Sequence, residues 1–301
     1  MSNGGIDVVA SASTQPEISK PAFVLIHGGF HGAWTWTDVA GVLADSGYAS
    51  LAIDLPGAGS LSQFPDCYYQ RPIDLAQFAK TISPLGKITQ QERTDSAIVA
   101  VRRAAKIGNG KVILVGHSWG GLTISHVAEA VPELVQAVVY LTAVLVPNGE
   151  PGGAIFSHPT FASSLVSPLI IGSDQDNGCA LRIDPRSDDP AYGRAMEQAF
   201  YHDVAPDRNL AIANLLHCDE PIDTATAAMQ ISSGNYGRVA RHYIHMADDR
   251  VLPPAAQDYM VERFDSSGIG GSTIIHRLSG GHSPMFANPA ALRDVLVGIA
   301  S

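Results

Sequence analysis

The chain has 301 residues, of which 46% are hydrophobic, so it can bury a large core as one domain that carries an insertion. Its formal net charge of -10 argues against nucleic acid or an anionic membrane as the main partner, because both bind basic surfaces. Three cysteines without C-x-x-C spacing suggest neither a disulfide framework nor a zinc site. Because the chain also has no basic leader followed by an apolar run, we expect a cytoplasmic protein. We expect it to use no metal or cofactor.

The first predicted strand is the continuous apolar run from Ala22 to Ile26. Residues 1 to 20 form an arm before it, in which a short edge hairpin around Ile6 to Val9 is one interpretation. The strand passes into the loop His27-Gly28-Gly29-Phe30-His31. Glycines directly after a strand let backbone N–H groups approach a negative oxygen, so the Gly29 N–H is a candidate oxyanion donor. A plain glycine turn is the alternative.

Three further segments lead to the middle of the chain. A second strand, Ala49 to Ile53, is followed by Gly57-Ala58-Gly59, which we interpret as a turn, because a dinucleotide loop needs a third glycine and a helix. Residues 61 to 88 are long for a connection, and we expect them to fold over the mouth of a site. Thr89 to Ile107 has the periodicity of a helix.

The most informative stretch is Lys111 to Gly121, KVILVGHSWGG. Its apolar residues predict a buried strand, and a helical periodicity begins just after the G-x-S-x-G sequence. In this setting, small residues around Ser118 permit a sharp turn that exposes its hydroxyl above the sheet, the arrangement called a nucleophile elbow. Ser118 is therefore the candidate nucleophile, and the N–H of Trp119 is a second candidate oxyanion donor. The alternative is a glycine-rich turn with an ordinary serine.

The alternation of strands and helices continues through a strand within residues 135 to 145 and then stops. We assign residues 150–236 to an inserted cap, and residues 21–149 and 237–301 to an α/β core. The cap has helical patterns at 192–201 and 208–216. Its bulky apolar residues could line a pocket or pack the cap onto the core: Phe156, Phe161, Leu165, Phe200, Leu215 and Leu216.

Alternation resumes in the last third of the chain, with a final helix capped by Asn288 and opened by Pro289. The elements before it are a strand from Val239 to Met246, a helix from Pro254 to Phe264 and a strand from Thr273 to Leu278. The whole pattern predicts an α/β fold with a mostly parallel central sheet and helices on both faces. Ligands of such sheets bind beyond the carboxyl ends of the strands, where all the candidates lie.

A serine nucleophile needs a base, and the base needs a carboxylate that fixes its tautomer. His282 is the candidate base, because it follows two glycines in the loop after the last strand and completes the order Ser, Asp, His. Asp248 and Asp249 both follow a strand end and are equal by position. His27 and His31 precede the nucleophile, so we expect them to shape the glycine loop.

The segments HGGFHGAW, DLPGAGS, GHSWGG, ADDRVLPP and SGGHSPM, in this order, resemble the α/β-hydrolase superfamily. More narrowly, they resemble its branch of plant methylesterases, hydroxynitrile lyases and bacterial esterases, from about Pro21 to the C-terminus. The resemblance implies Ser118 as nucleophile, His282 as base and main-chain donors at Gly29 and Trp119.

The resemblance also favours Asp249 over Asp248, from its place ahead of Leu252-Pro253. Phe30 and His31, beside the first donor, are candidate substrate-binding residues.

Hydroxynitrile lyases of this branch carry a threonine after the first loop histidine and a lysine after the catalytic histidine. Here those positions are Gly28 and Ser283, which favours ester hydrolysis. We therefore expect a cofactor-independent serine hydrolase acting on a carboxylic ester, lactone or thioester of a small, partly apolar molecule. The alternatives are a lyase or another non-hydrolytic enzyme on the same fold, and, less favoured, a ligand receptor. The expected partner is the small substrate, and a homodimer is compatible with the sequence.

Overall fold

A parallel sheet organises the chain in the computed structural model, which describes residues 20–301. The strands within this range are Ala22–Ile26 (β1), Ser50–Ile53 (β2), Val112–Ser118 (β3), Val135–Ala143 (β4), Cys179–Arg182 (β5), Asp219–Pro221 (β6), Ala240–Met246 (β7) and Ile274–Leu278 (β8). Six of them form one sheet in the order β2-β1-β3-β4-β7-β8, with every neighbouring pair parallel. The expected hairpin at Ile6 to Val9 lies outside the described residues.

Helices surround this sheet. They are Thr37–Asp45 (α1), Leu75–Lys80 (α2), Gln90–Ile107 (α3), Gly120–Ala130 (α4), Asp174–Asn177 (α5), Pro190–Phe200 (α6), Pro206–Ala213 (α7), Asp223–Thr226 (α8), Pro254–Asp265 (α9), Pro284–Ala287 (α10) and Pro289–Ala300 (α11). α1 packs against α11, and α3 packs against α4. The predicted fold class is therefore confirmed, as are the helix over residues 90–107 and the Asn288 cap, whose side chain accepts the N–H of Ala291.

The order of the sheet brings the loops after several strands to one edge, because the carboxyl ends of parallel strands point the same way. β4 ends at Ala143, within the predicted range, and Thr142 near its end has a φ of 35°. Ser118 pairs with Ala143, and the register shifts between His117 and Ser118. The end of β3 is thereby offset from its neighbour at the position of the candidate nucleophile.

Residues 150–236 contribute none of the six sheet strands in the described part of the chain. They contain an antiparallel pair, β5 and β6, that the sequence did not predict. The sequence of β6, Asp-Glu-Pro, has no alternation of apolar residues; buried ion pairs hold it instead. In one of them, Arg182 and Asp219 are 2.7 Å apart and fully buried. The division of the chain into core and cap stays a prediction.

Residues 61 to 88 pack against this hairpin. The guanidinium of Arg182 donates to the carbonyl oxygens of Phe78 and, at 2.7 Å, Thr81. The N–H of Ser83 donates to the carbonyl oxygen of Asn177 at 2.7 Å. The segment is thus fastened to the 150–236 region by buried polar contacts.

Within residues 20–301, no helix combines the length and the apolar character that crossing a bilayer requires.

A capping box begins α3. The side chain of Thr89 accepts the N–H of Glu92 at 3.1 Å, and Glu92 accepts the N–H of Thr89 at 2.8 Å. We predict that Thr89→Ala lowers the free energy of unfolding by about 1 kcal/mol, because helix N–H groups lose their acceptor. Urea unfolding measures this change. Thr89→Ser keeps the hydroxyl and is the control; an equal loss in both variants would contradict the capping role.

Candidate active site

The elbow between β3 and α4 holds Ser118 in a conformation that non-glycine residues rarely adopt, with a φ of 52°. Trp119 directly precedes α4, so its N–H belongs to the positive end of that helix. The start of α4 packs so closely on the loop after β1 that a Cβ added to Gly120 would lie 2.5 Å from the carbonyl oxygen of His27. The strand, tight turn and helix predicted from the sequence are all present.

His282, in the loop after β8, contacts Asp249, in the loop after β7. Nδ1 of His282 lies 2.7 Å from Oδ2 of Asp249, and both side chains are buried. Because a carboxylate only accepts, Nδ1 carries the hydrogen, and the lone pair of the neutral ring lies on Nε2, which a general base uses. Asp248 instead accepts the N–H of Gly280 at 3.0 Å. Of the two aspartates, Asp249 therefore has the geometry of the histidine's partner.

Three more donors fix the carboxylate of Asp249. Its Oδ1 accepts the N–H groups of Val251 and Leu252 at 2.7 and 2.9 Å. Its Oδ2 accepts the hydroxyl of Thr142 at 2.5 Å as well as the ring of His282. Thr142 is a β-branched residue with positive φ, which is costly unless its surroundings impose it. In this conformation its hydroxyl donates to the same carboxylate oxygen that contacts His282.

Two side chains form hydrogen bonds with the backbone around His282. His117 donates from Nε2 to the carbonyl oxygen of His282 at 2.9 Å, and the two rings are 4.6 Å apart. Burial lowers the pKa of His117 well below its usual value, so this ring is a neutral donor. Asp203 accepts the N–H of Gly281 at 2.6 Å. The histidine loop is thus fixed without a second positive charge beside it.

The glycine loop after β1 is held by its own histidines. His31 donates from Nδ1 to the carbonyl oxygen of Gly29 at 2.6 Å, and its Nε2 accepts from the Tyr201 hydroxyl at 2.7 Å. His27 donates from Nδ1 to the next carbonyl at 2.8 Å and accepts the N–H of Leu55 at 3.2 Å. Burial lowers the pKa of His27 to about 4 and that of His31 to about 3. All four ring nitrogens are engaged, in keeping with a loop-shaping role.

One cavity is shared by Ser118, His282 and the two candidate oxyanion donors, Gly29 and Trp119. Among its other lining residues are the predicted substrate-binding pair, Phe30 and His31. The remaining side chains of the lining are apolar: Val144, Phe156, Val166, Leu181, Phe200, Val251 and Leu252.

The six apolar cap residues divide three ways. Phe156 and Phe200 line the cavity, Phe161 and Leu216 are buried in the core, and Leu165 and Leu215 are exposed. Residues 61 to 88 contribute none of the side chains that line this cavity in the described chain.

Sequence reasoning missed Thr142 and a buried pair, Glu220 and Arg93. Glu220 accepts the N–H of Phe30 at 2.5 Å and Nη1 of Arg93 at 2.9 Å. Glu220 lies in a stretch without periodicity, and Arg93 is a polar residue within a helix, where charge is usually exposed. Neither position carries a sequence signal. For Thr142 the only available signal is its place at the end of a strand.

The buried neutral histidines make stability depend on pH. With folded-state pKa values near 4 and 3, His27 and His31 stay neutral where an unfolded chain, with histidine pKa near 6.5, binds protons. These histidines therefore do not reduce the free energy of unfolding above about pH 6.5. Below that pH, each of them lowers it by about 1.4 kcal/mol per pH unit.

We predict that the free energy of unfolding falls by about 2 kcal/mol less in His31→Gln than in the wild type between pH 7 and pH 5, because the titration of one buried histidine is removed. Urea unfolding at the two pH values measures the difference. An unchanged pH dependence in the variant would show that His31 is protonated in the folded protein.

The chain is similar in sequence and in structure to known esterases and hydrolases. The chain is 27% identical over 281 residues to putative methylesterase 11, chloroplastic, of Arabidopsis thaliana, covering 92% of this chain and 63% of that protein. It is also 27% identical over 297 residues to methylesterase 1 of Arabidopsis thaliana, covering 94% and 97%. The structure is similar to a pyrethroid hydrolase from Sphingobium faniae JZ-2, with a TM-score of 0.71, 23% identity and coverage of 93% and 97%. The model of the alpha/beta hydrolase family matches residues 23–295, and the chain belongs to that family.

Proposed function

We propose that this protein hydrolyses a carboxylic ester through an acyl-enzyme formed on Ser118, with lactones and thioesters as related substrates. The observation that carries the proposal is the strained Ser118, which lines the same cavity as His282, the partner of Asp249 at 2.7 Å. The relatives named as methylesterases support an ester as the substrate.

In the proposed reaction, the Ser118 oxygen attacks the ester carbonyl while Nε2 of His282 takes the hydroxyl proton. The C–O bond to the alcohol then breaks, and His282 returns that proton to the leaving oxygen. Water, deprotonated by His282, attacks the acyl-enzyme and releases the acid, which restores the Ser118 hydroxyl. Asp249 stabilises the imidazolium that forms in each half of the reaction.

The oxygen that becomes negative during attack would be bound by main-chain N–H groups. Gly29 and Trp119 both line the cavity, and Trp119 lies at the positive end of α4. The N–H of Phe30 is already used by Glu220, which leaves Gly29 as the donor of the glycine loop.

The space beside Ser118 favours hydrolysis over cyanohydrin cleavage. A Cβ added to Gly28 would lie 2.8 Å from Cβ of Ser118 and 2.9 Å from Nδ1 of His117. The threonine associated with hydroxynitrile lyases at this position would therefore collide with the elbow. Ser283, where those lyases have a lysine, is fully buried.

The lining of the cavity points to an uncharged substrate with an apolar acyl group. Among the described residues, the side chains that line the cavity are aromatic or aliphatic apart from Ser118, His31 and His282, and the two histidines are the titratable ones. A carboxylate on the acyl chain would enter without a cationic partner, and burying an unpaired charge is strongly unfavourable.

We predict that Ser118→Ala lowers kcat by about 10³-fold or more, because the nucleophile is lost. Hydrolysis of p-nitrophenyl butyrate measures the rate, and a fluorophosphonate probe, detected by mass spectrometry, should label the wild type and not the variant.

Ser283→Ala is the matched control, because Ser283 is a buried serine next to His282 whose hydroxyl has no hydrogen-bond partner among residues 20–301. It should keep both activity and labelling. Retention of most esterase activity by Ser118→Ala would defeat the proposed mechanism.

A pair of esters tests the character of the cavity. We predict that kcat/KM for mono-p-nitrophenyl succinate is more than about 100-fold below that for p-nitrophenyl butyrate, because the added carboxylate loses its hydration without gaining a partner. The two substrates share their leaving group and the length of the acyl chain. Equal values would contradict an apolar acyl site.

A further inference from the structure

A fully buried glutamate that takes no part in the proposed reaction lies against the glycine loop. Glu220, on β6, accepts the N–H of Phe30 at 2.5 Å and Nε2 of His217 at 3.0 Å through one oxygen. Its other oxygen pairs with Nη1 of Arg93 at 2.9 Å. Burial alone would raise the pKa of Glu220, but Arg93, His217 and the Phe30 N–H outweigh it, so the pKa lies well below its usual range. Glu220 is therefore a buried, ionised acceptor.

These contacts fix one peptide group at both of its ends. In the peptide between Gly29 and Phe30, the carbonyl oxygen accepts from Nδ1 of His31 at 2.6 Å, and the N–H donates to Glu220. The carbonyl oxygen of Phe30 accepts the N–H of His217 at 3.1 Å. Phe30 has a φ of 64°, an unfavourable conformation for a non-glycine residue that this surrounding set of bonds maintains.

We propose that Glu220, with Arg93, is a positioning residue for the glycine loop. By fixing the Gly29–Phe30 peptide it limits rotation about Gly29, and so holds the Gly29 N–H, which belongs to the adjoining peptide, in place to bind the oxyanion. This inference rests on the proposed ester hydrolysis. A rotated Gly29–Phe30 peptide would turn its carbonyl oxygen toward the carboxylate, and the two negative groups would repel each other. Glu220 lies directly beside the loop, since a Cβ added to Gly29 would be in ordinary van der Waals contact with it, 3.5 Å from Cγ.

Arg93 has a separate part in this arrangement. A lone carboxylate so close to the oxyanion site would oppose the negative charge that develops there. Arg93 pairs with Glu220, and its Nε also donates to the carbonyl oxygen of Pro56 at 3.0 Å. The glutamate can thus act as an acceptor for the loop with its charge balanced.

The test compares Glu220→Leu and Glu220→Gln with the wild type, using p-nitrophenyl butyrate. We expect Glu220→Leu to lower kcat by about 100-fold with KM changed by less than about threefold, as for the loss of one oxyanion donor. Glu220→Gln keeps an oxygen that can accept the Phe30 N–H, so it should recover part of kcat. Affinity for a boronic acid, whose adduct with Ser118 mimics the tetrahedral intermediate, should fall in the same order as kcat.

The neighbouring residue supplies a matched control. Asp219 is equally buried on the same strand and pairs with a buried arginine, Arg182, which binds the 61–88 segment rather than the glycine loop. Asp219→Asn should lower the free energy of unfolding about as much as Glu220→Gln does. Its kcat should stay within about twofold of the wild type. Both variants are assayed at a temperature where circular dichroism shows that they are folded. If Glu220→Leu does not fold, the comparison of Glu220→Gln with Asp219→Asn decides.

Equal kcat values for Glu220→Gln and Asp219→Asn, or unchanged boronic acid affinity in the Glu220 variants, would overturn the positioning role. If Ser118→Ala abolishes activity while the Glu220 variants keep wild-type kcat, this inference fails and the proposed function stands. If Ser118→Ala keeps its activity, the proposed function itself fails.

Discussion

A buried carboxylate must have all its acceptor positions filled, and this constraint locates the site. Asp249 receives hydrogen bonds from Thr142 at the end of β4, from two N–H groups of its own loop and from His282 after β8. An unpaired charge at such depth would cost far more than each bond contributes. Satisfying one side chain therefore brings together segments that are distant in sequence, and it imposes the unfavourable backbone of Thr142.

The same logic extends from residues 150–236 to the other loops. Glu220 and His217 bind the backbone of Phe30, Asp203 binds the loop before His282, and Thr224 accepts from Nε1 of Trp119 at 2.9 Å. This region thus supplies polar contacts to the loops that carry the candidate catalytic residues, as well as apolar residues that line the cavity.

A glycine next to the candidate nucleophile leaves no room for a side chain. Gly28 lies so close to Ser118 and His117 that a side chain there would require the elbow to shift. The buried histidines nearby are kept neutral by desolvation, so they orient groups through hydrogen bonds without adding charge. The cavity consequently combines an apolar lining with a few directed polar groups, which suits a neutral ester.

The parallel sheet, the elbow at Ser118 and the candidates Gly29, Trp119 and His282 could all be predicted from the sequence, because local periodicity and glycine spacing indicate strands, helices and tight turns. By position alone it left Asp248 and Asp249 equal; the family resemblance favoured Asp249, and the contact of that residue with His282 agrees. Only the tertiary structure disclosed the hairpin of β5 and β6, the strained Thr142 and the buried pair of Glu220 and Arg93. Those features depend on contacts between residues that are distant in sequence. Arg93 and Glu220, for example, are 127 positions apart, and a buried ion pair of this kind produces no periodic pattern in the sequence.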